Sequence, residues 1–299
     1  MKFLKIFAIA AVAAFAVSCG KDSKKESVTL DPAPFYEEST ELVLPGDNLS
    51  GYDQFTFFSD GTGTARGRAD QVIPSSVRPI KKKSVEYVYK TFTYTVNGAT
   101  YVVVGLYDNE ANFKYDAAKH TLVIETVENG KTTEITVQNV EETPNLEIDI
   151  LSKLCRKWKV SAIDIHVEGG DLAQGGISGG QIFRHGNLYE IAKAIKAKGV
   201  KFDETKLEGY NITAVNFAPT GKILITFSGQ NPYIGDWGIN KAGKFEYDLV
   251  YGEGNDIINA NAEGTITIGD GKCKLDLKGE IKGTKDYTST VSITLVPAN

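Results

Sequence analysis

The chain has 299 residues, a net charge of −5, three cysteines and one methionine. The acidic balance argues against a nucleic-acid partner, which needs a basic face, and KKK at 81–83 is the only dense basic run. Its 30 glycines, 14 tyrosines and 14 phenylalanines fit a β protein with many tight turns.

Residues 1–18 read MKFLKIFAIAAVAAFAVS, with Lys2 and Lys5 ahead of an apolar run from Ile6 to Val17. The run is too short to span a bilayer and has the form of a secretory signal. Val17-Ser18-Cys19 resembles the lipobox of bacterial lipoproteins, with Ala16 where leucine is usual. The resemblance implies a signal peptide over 1–18 and lipidation of Cys19. Acyl chains such as palmitate hold a domain to a membrane at about 0.8 kcal/mol per buried methylene. Gly20, rather than Asp, follows the cysteine. In Gram-negative lipoproteins that implies the outer membrane, on its periplasmic face or at the cell surface.

Residues 19–45 are polar, begin with the charged KDSKKE at 21–26, and carry Pro32, Pro34 and Pro45. They are expected to form a flexible tether. Residues 46–142 then alternate apolar and polar side chains, giving an N-terminal β domain. FTFFS at 55–59 meets Asp60-Gly61, the strand run ending at Val96 meets Asn97-Gly98, and HTLVIETVE at 120–128 meets Asn129-Gly130. Asn-Gly and Asp-Gly supply the positive φ of hairpin turns, so about six or seven strands are expected. The stretch 69–84 has no period and is expected to be a long loop.

EETPN at 141–145 marks a boundary, and Leu146, Ile150 and Leu154 stand at the spacing of a short helix. Residues 145–299 hold eight candidate strands, A to H, at 157–167, 211–217, 222–228, 236–240, 244–251, 263–268, 272–282 and 287–296. In strand A, Trp158 and Val160 share one parity while Ile163, Ile165 and Val167 share the other. A bulge near Ser161 and Ala162 reconciles them. Strands in chain order suggest a closed antiparallel meander barrel. The turns at 218–221, 241–243 and 269–271 are tight, whereas the connections 168–210, 229–235 and 252–262 at the other end are long; only the short G–H connection breaks the pattern. The A–B connection holds one helix, from the N-cap Asn187 to Gly199, with Leu188, Ile191, Ala192 and Ile195 on its apolar face.

LCRKWKV at 154–160, VNFAPTGKILITF at 215–227 and GDWGI at 235–239 resemble the corresponding stretches of lipocalin-like domains, with Arg156 where classical lipocalins place glycine. With the lipobox, the chain is similar to uncharacterised lipocalin-like lipoproteins. The resemblance implies a non-enzymatic protein holding a small apolar ligand in the barrel. Trp158, Leu188, Ile191, Ile195, Tyr233, Trp237 and Tyr251 are the candidate binding residues. An eight-stranded barrel is just wide enough to be filled by side chains or to hold one ligand. Trp158, Phe217, Phe227, Trp237, Phe245, Tyr247 and Tyr251 are bulky enough to fill it, so a structural or adhesive, fimbria-like surface module is the alternative. FTFFSDGTGTARG at 55–67 echoes the B–C hairpin and leaves an internal duplication open.

Motifs of chemistry are sparse. Gly176-Ile177-Ser178-Gly179-Gly180 matches the nucleophile-elbow pattern, but only His185 follows and the glycine-rich context suits a loop. GTGTARG is one residue too long for a dinucleotide fingerprint. Asp164, His166 and Glu168 share one face of strand A, best explained as a solvated face. His120 has no evident partner, and Phe113 stands where a calcium loop opened by Asp108 would need glycine. No catalytic residue, metal site or cofactor is assigned. With Cys19 set aside as the anchor, the strand order brings Cys155 and Cys273 to the same end of the barrel. They are placed to form a disulfide or to serve as two small apolar residues.

Overall fold

The computed structural model describes residues 38–68, 87–128, 130–169, 181–185, 211–228, 232–250, 259–269, 271–281 and 287–298, with the isolated positions 193 and 197. They form two nine-stranded antiparallel sheets.

The first sheet contains β1 (Thr40–Val43), β2 (Tyr52–Phe57), β3 (Thr62–Arg68), β4 (Tyr87–Asn97), β5 (Thr100–Val104), β6 (Ala111–Asp116), β7 (Thr121–Glu128), β8 (Lys131–Val137) and β9 (Glu141–Glu142). β1 to β8 neighbour one another in chain order, and β9 returns to pair with β1, so the sheet curls. It begins within the expected tether, because Leu42 and Leu44 are buried in its core. The concave side is filled with aromatic rings. Phe57 lies edge-on to Phe92 and Tyr94, and Phe55 edge-on to Phe113, at centroid distances of 5.1–5.3 Å. Gly63 makes room for this packing, since a Cβ there would sit 2.2 Å from the Phe92 ring. The aperiodic stretch 69–84 lies outside the described residues.

The second sheet follows a single turn of helix, α1 (Leu151–Leu154). Its strands are β10 (Lys157–Gly169), β11 (Gln181–His185), β12 (Asn211–Phe217), β13 (Lys222–Ser228), β14 (Tyr233–Ile239), β15 (Phe245–Val250), β16 (Asn259–Gly269), β17 (Lys272–Ile281) and β18 (Tyr287–Pro297). β10 pairs with both β12 and β18, which closes an eight-stranded antiparallel barrel, as expected from the strand order. The register of β10 shifts between Val160 and Ala162, so the change of face in strand A is a bulge. β14 and β16 start earlier than expected. β11 is an addition: it pairs with the upper half of β10, from Ile163 to Val167, where β12 no longer does. Of the helix expected over 187–199, only Lys193 and Ala197 are described, both helical.

The two sheets meet through matching hairpin turns. In the β2–β3 turn the Phe58 N–H donates to Thr62 O and the Gly61 N–H to Phe58 O, at 2.8 and 3.1 Å. In the β12–β13 turn the Ala218 N–H donates to Lys222 O and the Gly221 N–H to Ala218 O, at the same two distances. Gly61 and Gly221 take φ of 82° and 90°, the left-handed region that favours glycine. Each then accepts a 2.7 Å hydrogen bond from an aromatic residue of the third strand, Tyr94 or Trp237. The Tyr94 hydroxyl and the Trp237 indole N–H complete the pattern by donating to Phe58 O and Ala218 O. The likeness of 55–67 to 215–227 is therefore a likeness of hydrogen-bonded geometry. Both sheets also share the order of a meander whose last strand returns to its first.

Phe58, at the tip of the first turn, is 1% exposed and packs with Ala218, Leu224 and Ile234 of the barrel, with Tyr89 alongside. Full burial of such a ring contributes about 1.5–3 kcal/mol. Around it, Lys157 Nζ lies 3.0 Å from Asp60 Oδ2, Asn216 donates to Thr62 Oγ1, and the Leu146 N–H donates to Pro219 O.

Candidate functional site

The interior of the barrel can be followed through its register. Among the described residues, the tight turns 218–221 and 240–244 lie at one end, the floor. There Phe217 stands edge-on to Trp237 at 5.6 Å, and Phe245 stacks on Trp237 at 6.1 Å with an interplanar angle of 23°. Trp158 is wholly buried; its indole N–H donates to Leu154 O at 2.8 Å, tying β10 to α1. The Arg156 guanidinium lies 5.7 Å from the Trp158 ring. The floor is a packed aromatic plug.

One layer up, Tyr247, Leu275, Leu277, Val291 and Ile293 are buried. Burial raises the Tyr247 phenol well above its ordinary range, so it is neutral at every working pH. Tyr233 is 4% exposed and packs 4.5 Å from Phe227, which is half-buried.

Toward the other end, several paired positions carry a small residue, although Ile281 is opposite Tyr287. Tyr247 and Leu249 of β15 are opposite Ala262 and Ala260 of β16. Gly264 joins the Phe245 and Leu277 positions, and the step above Leu277–Val291 is Gly279–Ser289. Gly264 is needed for closure as well, because a Cβ there would fall 2.1 Å from Asp276 O on the neighbouring strand.

Of the sequence-derived binding residues, Trp158 and Trp237 form the floor rather than the wall of a site. Tyr233 lies toward the end away from the tight turns. Leu188, Ile191, Ile195 and Tyr251 lie outside the described residues. Cys155 and Cys273 are both free and buried, at 1% and 0% exposure, so no bridge links α1 to β17 in this structure. Cys273 faces Leu295 and Ile268 across its two ladders and behaves as a small apolar residue. Asp164 remains on β10, and no group of three His, Cys, Asp or Glu side chains among the described residues is placed to hold a metal.

One feature went unread in the sequence. At the far end of the first sheet from its Phe58 turn, a cleft of about 230 Å³ is lined by Ser50, Gly51, Tyr52, Lys90, Leu106, Tyr107 and Asp108. Its signal was parity: Lys90 falls in series with Phe92 and Tyr94 on the concave face. The ladder confirms it, with Lys90 opposite Ala65 and Ala65 opposite the buried Phe55.

Comparison with known proteins finds no matching family model, no matching curated protein and no matching solved structure.

Proposed function

We propose that this chain is a lipid-anchored, non-enzymatic protein of the bacterial cell envelope whose C-terminal barrel holds a small apolar molecule. The observation that carries the reading is the closure of eight strands into a barrel, which is just wide enough to hold one small ligand above an aromatic floor. Trp158, Phe217, Trp237 and Phe245 seal the floor, and toward the other end the ladders mix small residues, Ala260, Ala262, Gly279 and Ser289, with the larger Leu249, Ile281 and Tyr287. A ligand above the floor would meet Tyr233, Tyr247, Leu277 and Val291. That is an apolar lining with few polar groups, as small-molecule sites have. The lipocalin-like stretches at 154–160, 215–227 and 235–239 support the same reading, and the lipobox at Cys19 supports an anchor at the outer membrane.

Native mass spectrometry of the mature chain tests the ligand. A co-purified lipid-sized mass, lost in Ala262→Trp at the position paired with Tyr247, supports binding. A clean apo mass with no uptake from a hydrophobic library removes it. The anchor is tested separately by fractionation: Cys19→Ser should move the protein from membranes to the soluble fraction, and unchanged membrane recovery would refute lipidation.

The second reading is a structural or protein-interaction lipoprotein with filled β domains, such as a fimbria-like module. The aromatic filling of the first sheet favours it for that half of the chain.

A further inference from the structure

The cleft in the first sheet has a chemistry of its own. Its wall is held in shape by Asn48, whose side-chain amide donates to Tyr52 O at 2.8 Å and to Pro45 O at 2.5 Å, and whose Oδ1 accepts from the Ser50 N–H at 2.9 Å. Gly51, at φ +82°, turns the chain into β2. The Tyr107 hydroxyl reaches Ser50 O at 3.5 Å across the cleft, and the Tyr52 and Tyr107 rings meet edge to face at 6.0 Å. Leu106 is buried behind them at 3% exposure. These contacts leave a preformed, flat-walled recess.

Lys90 enters this recess from the concave face, half-buried. No carboxylate of the described residues lies within ion-pair distance of it, although Arg66, Lys114, Lys157 and Lys222 each have one. A lysine on the inward register of an aromatic core, with no anion on it among the described residues, is a polar group placed to receive one. Asp108 stands exposed at the rim, where it disfavours a dianion more than a monoanion. At about 230 Å³ the recess is smaller than the about 300–1,000 Å³ typical of drug-sized ligands, which limits the occupant to a single-ring molecule.

We propose that this recess binds a small monocarboxylate with a flat apolar body, its carboxylate on the Lys90 ammonium and its ring laid against the Tyr52–Tyr107 pair. Burial pushes the Tyr52 phenol up to about 12 and raises Tyr107 as well. Both therefore stay neutral at pH 7 and do not repel an anion.

The test is a fluorine NMR titration of the full mature chain with 4-fluorobenzoate and its neutral isostere 4-fluorobenzamide. The benzoate should give a saturable response in the millimolar range, and the amide should bind about 10- to 100-fold more weakly, the worth of a charge-assisted hydrogen bond. Lys90→Met should abolish that preference and Lys90→Arg should keep it, with thermal midpoints near wild type showing that the variants fold. Equal binding of acid and amide, a preference that survives Lys90→Met, or no saturable response to the benzoate would overturn the assignment.

Discussion

Asp60 and Lys157 meet across the junction of the two sheets, with Oδ2 and Nζ 3.0 Å apart. Asp60 also accepts from the Thr62 N–H and hydroxyl, at 3.1 and 2.6 Å, so one carboxylate shapes the β2–β3 turn and binds the barrel. Burial pushes this carboxyl up, but hydrogen bonds from Thr62, Asn216 and Lys157 outweigh it and hold the group below its ordinary value. A lowered folded value means the stabilisation is complete above the ordinary carboxylate range. It is lost as pH falls below about 4 and through the lowered value. Asp60→Ala should cost about 1–3 kcal/mol at pH 7. Its urea-unfolding stability should converge with wild type in acid; a gap that persists at low pH would remove Asp60 as the source.

Glu41 presents a second buried carboxylate, 3% exposed, on β1. It accepts from Gln54 at 2.8 Å, Thr56 at 3.0 Å and Thr143 at 2.8 Å, and so ties the first strand to β2 and to the segment that follows β9. Glu41→Ala leaves three donors without an acceptor and should destabilise by about 1–3 kcal/mol, with Glu41→Gln falling between. Hydrogen exchange should localise the loss to β1 and β9. An effect spread evenly over the sheet would argue against a closing clamp.

Cys155 and Cys273 should be inert in the native protein. Burial raises both thiols, Cys273 up to about 12, so almost no thiolate exists at pH 7. A chromogenic disulfide reagent should label neither in buffer and both in denaturant. Rapid labelling of either thiol without denaturant would contradict the packing of the floor.

Two strand glycines separate backbone constraint from composition. Gly264→Ala forces a methyl against Asp276 O and should cost about 1–3 kcal/mol. Gly269→Ala, on the same strand with open space at its Cβ, should stay within about 0.5 kcal/mol of wild type. Equal thermal midpoints for the two variants would show that Gly264 is not a closure point.

Much of the barrel was legible because its strands alternate cleanly between turn residues. The spans 211–217 and 222–228 and the bulge after Val160 emerge from parity alone. β1 and β11 were hidden for a different reason. A strand of four or five residues has too little length to show a period, and each is held by partners distant in sequence. TELV sits among prolines, and QIFRH follows GGISGG. The candidate site divides the same way. Aromatic alternation placed Trp158, Phe217, Trp237 and Phe245 inside, but the small residues opposite Tyr247 and above Leu277 gain meaning only once the ladder is known. Lys90 was overlooked because a lysine in YVYKTFTY is ordinarily a solvent-facing break in an apolar series.

The matched turns at Phe58–Gly61 and Ala218–Gly221 close their own hairpins and also press against each other. A substitution in either is therefore felt by two folds at once, while the outer strands answer only to their own sheet. If the halves arose by doubling of one module, drift would erase their common ancestry last at these tips. Such a fused pair would keep its record of origin at the seam, where FTFFSDGTGTARG and VNFAPTGKILITF still correspond.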